Sequence, residues 1–399
     1  MNPFSRRGFL KALGIGAGAV VGTRLPGSSL IGLARAATPE PTSVVCVYLN
    51  GGINAIFTGA DAFTNTAFGV TGNNVTNLGG GVVIDNALAN AIPAAIRNRV
   101  ASIGIRHGIT SHGNAQSSLF MSGNQSAPLM LANAIGGNGA IKAAVVGGNS
   151  LPNGQRPAPV NGVSLQPITD MRATIEAIAG AQDAPNVADR EGSAKGVAAA
   201  QAMSKPTIDK HKNSLASVDQ GLTSAIATLN KPVQPFSVAD FNQAYGLNGT
   251  NVNNFGARMA AAELMVRSGT NFVIAQDGGW DTHGDRNGNT VRNMVTQRIA
   301  PPLRTFLTRM VEGGSANRNV IVAIFGDFHR SLPGSDHQAN VSALVIGKTL
   351  KNATTGKTDA RVGLAPNTPN IAGLWQFLGA ASKVDQSPFG ANPHAAALL

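Results

Sequence analysis

Ser43-Val44-Val45-Cys46-Val47-Tyr48-Leu49 runs directly into Asn50-Gly51-Gly52-Ile53-Asn54. After its first residue the run is continuously apolar or β-branched, the pattern of a strand covered on both faces, which is the habit of parallel sheets. The glycine pair permits a sharp turn or a close backbone approach, and Asn54 offers an amide oxygen to a cation or substrate; an ordinary turn is the competing reading. Outward from this strand, short apolar runs recur at 81–84, 101–106, 143–146, 271–275, 319–325 and 342–346. Helical patterns occupy 87–97, 126–135, 167–180, 255–268, 290–313 and 370–378. This alternation predicts a doubly wound α/β domain with a mostly parallel central sheet. Pro301-Pro302 predicts a break in the helix between Arg298 and Leu303. Residues 183–232, rich in Ala, Lys, Asp, Gln and Ser, predict a helical hairpin inserted into the domain, and 64–81 and 246–254 read as long polar loops.

The N-terminus is of a different kind. Ser5-Arg6-Arg7-Gly8-Phe9-Leu10-Lys11 precedes a Gly- and Ala-rich apolar run, and Ala34-Arg35-Ala36 follows as a small-x-small cleavage site. That order predicts a twin-arginine signal peptide over residues 1–36, a folded domain over 37–399, the twin-arginine translocase as export partner, and a periplasmic or secreted location. The apolar run is shorter than the roughly 20 residues a membrane-spanning helix needs, so no transmembrane helix is expected after cleavage. Removing the leader takes five basic residues and no acidic one, and the net charge falls from +11 to +6. The remaining basic residues are dispersed and aromatic residues are few, which argues against a nucleic-acid groove and leaves a mild attraction for anionic esters or polymers. The single cysteine, Cys46, excludes an intramolecular disulfide, so stability must come from the core, and Cys46 itself reads as core filler.

Ligands of open α/β sheets bind beyond the carboxyl ends of the strands. Three further segments stand there. Arg106-His107-Gly108-Ile109-Thr110-Ser111-His112 places hydroxyls and imidazoles before a helix, where Ser111 is either a nucleophile at a helix N-terminus or a simple cap. Asp277-Gly278-Gly279-Trp280-Asp281-Thr282-His283 offers a carboxylate and an imidazole that can meet on one cation if the backbone turns. Gly326-Asp327-Phe328-His329-Arg330 and then Gly334-Ser335-Asp336-His337 add Asp and His, the oxygen and nitrogen ligands of zinc or a similar divalent metal.

These residues resemble the twin-arginine-exported family known as domain of unknown function 1501, a branch of the alkaline phosphatase and sulfatase superfamily. The likeness is sharpest at Gly278-Gly279-Trp280-Asp281-Thr282-His283 and Gly334-Ser335-Asp336-His337, with Ser111-His112 and Ala115-Gln116 as weaker echoes. The resemblance implies a three-layer sandwich around the parallel sheet. It implies metal ligands at Asn54, Asp281, His283, Asp327, His329, Asp336 and His337, and catalytic roles for Ser111, His112 and Arg330, the last neutralising a substrate anion. Three departures accompany it. Asn54 stands where an aspartate is usual, Gly326-Asp327-Phe328-His329-Arg330 replaces Ser-Glu-Phe-Gly-Arg, and no Cys-x-Pro-Ser-Arg motif occurs. Two functions are therefore expected: a metal-dependent hydrolase of a phosphate, sulfate or related ester, or a non-catalytic extracytoplasmic binding or assembly protein with a degenerate metal site.

Overall fold

The structure is a computed structural model that describes residues 41–54, 74–137, 139–179, 187–212, 236–314, 318–331, 335–356 and 369–399, with scattered positions between 215 and 226. The leader at 1–36 and most of the 64–81 loop lie outside the described residues. Contacts divide the chain into two units, one of residues 37–172 and 237–399 and a second that takes in 173–236. Within the second unit the helix Val187–Lys210, with Pro206 inside it, occupies the first arm of the expected hairpin; the returning arm is largely outside the described residues. Among the described residues no helix is long and apolar enough to cross a membrane.

The first unit is built on an eight-stranded sheet. Its strands are β1 (Thr42–Leu49), β2 (Val100–Arg106), β3 (Ala143–Val146), β4 (Leu165–Ile168), β5 (Phe272–Asp277), β6 (Asn319–Gly326), β7 (Asn340–Gly347) and β8 (Ala353–Thr355), in the order β8-β2-β7-β6-β1-β5-β3-β4. Every pairing is parallel except those of β7, which runs antiparallel to both β6 and β2. All eight residues of β1 and of β6 are buried, which is why both read as unbroken apolar runs.

Each face of the sheet is covered. Val44, Cys46, Tyr48, Ile274, Ala323 and Phe325 share a core with residues of the helices α1 (His112–Leu119), α2 (Ala127–Ile135) and α4 (Ala372–Ala381). The alternate side chains of β1, β5 and β6 are also buried, and α3 (Phe255–Arg267) packs on β5 from that side. A mixed α/β sandwich around a mostly parallel sheet is therefore the architecture, as the alternation of runs predicts. Cys46 is fully buried among these residues, and burial pushes its thiol well above the ordinary range, leaving it inert as core filler.

Four local expectations are corrected. The run at 81–84 is a strand, Val82–Asp85, but it pairs with Val75–Gly79 in a separate two-stranded sheet. The segment 87–97 is not one helix; Asn86–Ala89 and the short turn Ala94–Ile96 are divided around Pro93, whose missing N–H cannot join a helical ladder. Pro167 belongs to β4, and the helix of that region begins only at Met171. Pro301-Pro302 do not break their helix. The segments Asn289–Met294, Val295–Ile299, Ala300–Phe306 and Leu307–Glu312 follow one another without interruption, and Val295–Ile299 is a π-turn. Its wider i→i+5 pattern opens the helix just ahead of residues that lack an N–H and crowd the preceding carbonyls.

Candidate metal centre

Register brings the chemically active loops to one level. Leu49 pairs with Asp277 of β5 on one side and with Gly326 of β6 on the other, so the segments after β1, β5 and β6 leave the sheet side by side. The turn after β1 is locked to the next loop through its backbone. Asn50 N–H donates to the Asp277 carbonyl at 2.8 Å, and Trp280 N–H to the Asn50 carbonyl at 3.1 Å. Beyond β6 the short strand His329–Arg330 pairs with Ile53–Asn54 and with His337–Gln338, which carries His337 back toward the same edge. From the opposite side, β2 leads into α1, and His112 is the first residue of that helix.

Four side chains meet: His112, Asp281, His283 and His337, whose donor atoms lie within 4.8 Å of one another. The Nε2 atoms of His283, His112 and His337 stand 3.3, 3.5 and 3.8 Å from a single oxygen, Oδ1 of Asp281. Ligands at ~2.0–2.1 Å from a tetrahedral zinc are about 3.3 Å apart, so only small side-chain shifts separate this cluster from a coordination shell. His112 Nε2 is buried and has no hydrogen-bond partner, an orphan atom that a cation would satisfy. Three imidazoles and one carboxylate form a donor set suited to zinc or a similar transition metal and poor for magnesium or calcium. The residues therefore fit a resident metal.

The surrounding groups fix this geometry. His337 Nδ1 donates to the Thr110 carbonyl at 2.6 Å, which directs its Nε2 inward. The rings of His112 and His337 pack edge to face at 4.5 Å, and both rest on the buried ring of Phe328 at 4.8 and 4.1 Å. Burial holds the His337 imidazole below its ordinary pKa, against the Thr110 bond that favours its protonated form; the nearby charge of Arg330 depresses it further. Asp281 is about half exposed, and although burial opposes its ionisation, the charge and hydrogen bond of Arg330, with His112 and His283 beside it, bring its pKa below the usual carboxylate value. The neutral imidazole favoured at His337 and the ionised carboxylate favoured at Asp281 are the protonation states that metal ligands require.

The other expected site residues take different places. Arg330 is buried, with Nε and Nη2 donating to the Gly51 carbonyl at 2.8 and 2.6 Å, Nη1 to the Ser335 carbonyl at 2.7 Å, and Nη2 to Asp281. It ties the three loops together, and these donors serve protein acceptors. Asp327 is not one of the four; its oxygens receive Tyr48 Oη–H, Gly51 N–H, Gln116 Nε2–H and His112 Nδ1–H. His329 is buried on the two-residue strand where Arg330 points to the cluster, and strand alternation turns consecutive side chains to opposite faces. Asp336 stands at the rim, exposed, with Oδ1 3.9 Å from His283 Nδ1. The backbone of Asn54 pairs with Arg330, and its side chain lies outside what is described.

Ser111 is exposed at the N-cap of α1 and makes no side-chain cap hydrogen bond, so its hydroxyl is not committed to the helix. Tyr48, Asn50 and Gln116 were not singled out individually for the site. Gln116 bridges Asn50 Oδ1 at 2.8 Å and Asp327 at 3.0 Å; in the sequence it stands out only as part of the Ala115-Gln116 echo and by its place one helical turn after His112. Beside the centre, Arg258 and Arg298 flank the buried Asp277 and line a separate open cavity of about 420 Å³.

The chain is similar to the solved structure of an alkaline phosphatase from the Antarctic bacterium TAB5, at 10% identity over 87% of this chain and 99% of that one, with a TM-score of 0.37. It is similar also to the crystal structure of Ps i-CgsB in complex with k-i-k-neocarrahexaose, at 8% identity over 88% of this chain and 75% of that one, with a TM-score of 0.38. No curated protein sequence matches the chain. The family described as protein of unknown function (DUF1501) matches residues 142–370, more than half of the chain and including Asp281, His283 and His337, and the protein belongs to that family.

Proposed function

We propose that the protein is an exported, metal-dependent hydrolase of a phosphate, sulfate or related ester. One observation carries the reading: the convergence of three imidazole Nε2 atoms on one carboxylate oxygen at the sheet edge. His112, Asp281, His283 and His337 would hold the cation, zinc by the chemistry of the donors. Bound there, it would supply Lewis acidity toward the ester oxygen. With one carboxylate among four ligands the loaded centre keeps a net positive charge, which favours an anionic substrate. The substrate class is therefore a small anionic ester or an anionic extracytoplasmic polymer.

The remaining work falls to the start of α1. Ser111 presents an uncommitted hydroxyl next to a ligand, and the N-terminal N–H groups of the helix favour the developing negative charge. Ser111 is the group assigned to attack, with Thr110 or a water as its substitute. Phe328 closes the floor of the site against water. Twin-arginine export, which the leader supports, would allow the cation to be inserted during cytoplasmic folding and would deliver a loaded protein to the periplasm or beyond.

The test is metal analysis of protein purified after export, followed by hydrolysis of aryl phosphate and aryl sulfate esters with and without chelator. Stoichiometric zinc with turnover that chelation abolishes and zinc restores is the expected result. Absence of any bound metal together with chelator-insensitive hydrolysis would overturn it. Metal without turnover on any ester would instead favour a binding or assembly role, which Arg330 makes physically reasonable by occupying the cluster's only carboxylate. Replacing Arg6-Arg7 with two lysines is expected to retain the protein in the cytoplasm; normal export of that variant would remove the twin-arginine assignment.

A further inference from the structure

The enclosed carboxylate at the sheet edge is Asp327, whose side chain is 0% exposed and which meets the cluster through His112. We infer that Asp327 is a positioning residue: by accepting the Nδ1–H of His112 it fixes that ring's tautomer and aims Nε2 at the cation. The inference rests on the metal-centre reading above and assigns to Asp327 a role different from that of a ligand.

Occupancy is the first argument. A carboxylate is an acceptor only, with about four lone-pair sites. Asp327 Oδ1 receives the Tyr48 hydroxyl, while Oδ2 receives His112 Nδ1 at 2.7 Å, Gln116 Nε2 at 3.0 Å and Gly51 N at 3.2 Å. Three donors from the turn after β1 and from α1 thus fill Oδ2, the oxygen that faces His112, while Tyr48 engages Oδ1, and coordination of a cation by Oδ2 would require at least one of those donors to leave. The buried charge is stable because both of its oxygens are hydrogen-bonded where they stand.

Direction is the second. Because Asp327 can only accept, the proton of a neutral His112 must reside on Nδ1, and the lone pair is left on Nε2. Nε2 is the atom that is buried without a hydrogen-bond partner and that stands 3.5 Å from Asp281. His337 is arranged in the same sense by a different acceptor, the Thr110 carbonyl. The two imidazoles that pack edge to face are therefore both turned with Nε2 inward, one by a carboxylate and one by the backbone. Tyr48 extends the chain of contacts one step further, since its hydroxyl serves only to hold Asp327, and burial next to that carboxylate keeps the phenol protonated. Outer partners of this kind orient metal-binding histidines and raise their basicity.

The experiment reads the tautomer and the affinity separately. Nitrogen-15 NMR of the metal-free full-length mature protein, at mildly alkaline pH, is expected to show His112 protonated on Nδ1 alone, with assignment by the His112→Gln variant. Asp327→Asn, folded by near-ultraviolet circular dichroism, is expected to lose that single-tautomer signature and to bind zinc roughly 10–100-fold more weakly. In the His112→Gln background the same change is expected to alter zinc affinity less than threefold, because the route through the ring is gone. A neutral His112 ring that carries its proton on Nε2 in the unmodified protein overturns the inference. So does an undiminished loss of zinc affinity from Asp327→Asn when His112 is already replaced, the result expected of a direct ligand. Failure of the unmodified protein to bind zinc, with the Nδ1–H tautomer present, would count against the metal reading and leave the positioning contact standing.

Discussion

Gly51 and Asp281 are packed backbone against backbone: a β-carbon on Gly51 would fall 2.3 Å from the Asp281 amide nitrogen and 2.5 Å from the Trp280 carbonyl carbon. Gly51 also has φ +122°, a conformation that side chains strongly disfavour, and its carbonyl receives two hydrogen bonds from Arg330. The turn after β1 and the ligand loop after β5 are therefore one packed unit. Gly51→Ala is expected to cost about 3 kcal/mol or more, from backbone strain and overpacking together. It should also displace Asp281 and weaken zinc binding. Urea unfolding and a chelator competition on the same sample would check both, and a variant with unchanged stability would contradict the contact.

Asp281→Asn keeps the shape of the side chain and removes the only carboxylate of the cluster. Three imidazoles alone would then face the cation, with Arg330 beside them deprived of its direct carboxylate partner in the cluster. Zinc affinity is expected to fall by at least roughly 100-fold, the upper end of what loss of an outer partner produces. Isothermal titration of the metal-free protein measures this, and a loss under about threefold would show that Asp281 is not a ligand.

Ser111→Ala separates chemistry from folding. Because the Ser111 side chain does not cap α1, its removal should change stability by no more than about 0.5 kcal/mol. Chelator-sensitive ester turnover is expected to fall by roughly 100-fold or more, with kcat carrying the effect and zinc content unchanged. Retained turnover would transfer the attacking role to Thr110 or to a water.

His394 supplies a pH dependence remote from the centre. Its imidazole is 1% exposed, bonded through Nδ1 to the Thr355 hydroxyl at 2.7 Å, and burial brings its pKa from 6.5 to about 4. Below about pH 6.5 the unfolded chain takes up a proton at this position that the folded chain refuses until about pH 4. The contribution to stability is thus complete above pH 6.5 and is lost as the pH falls through the window from 6.5 to 4, by roughly 3 kcal/mol. Denaturant unfolding across that window should show the slope, and His394→Asn should flatten it.

The strands that carry the site were legible because burial on both faces leaves a continuous apolar run, as in β1, β5 and β6. β4 and β8 were not, since Leu165–Ile168 and Ala353–Thr355 are short and partly exposed and have no such signature. Pro301-Pro302 misled because proline forbids a regular α-helical bond while leaving a π-turn open. At the centre, Asp281, His283 and His337 were legible as residue types that bind metal just beyond strand ends. His112 was read as a partner in catalysis, and its convergence with the other three became visible only in three dimensions.

The local order of residues was sufficient to predict a mostly parallel-sheet α/β domain and the edge at which the Asp and His cluster lies, because hydrophobic period and turn residues are properties of neighbours along the chain. It was not sufficient to divide the acidic and imidazole groups at that edge into those that meet and those that support. Asp327 and His329 stand two residues apart and beside Arg330, yet one holds His112 and the other takes no part in the cluster of four. That division depends on strand register and on which face each side chain takes, and it is settled by contacts between residues separated by more than 200 positions, such as His112 and Asp327.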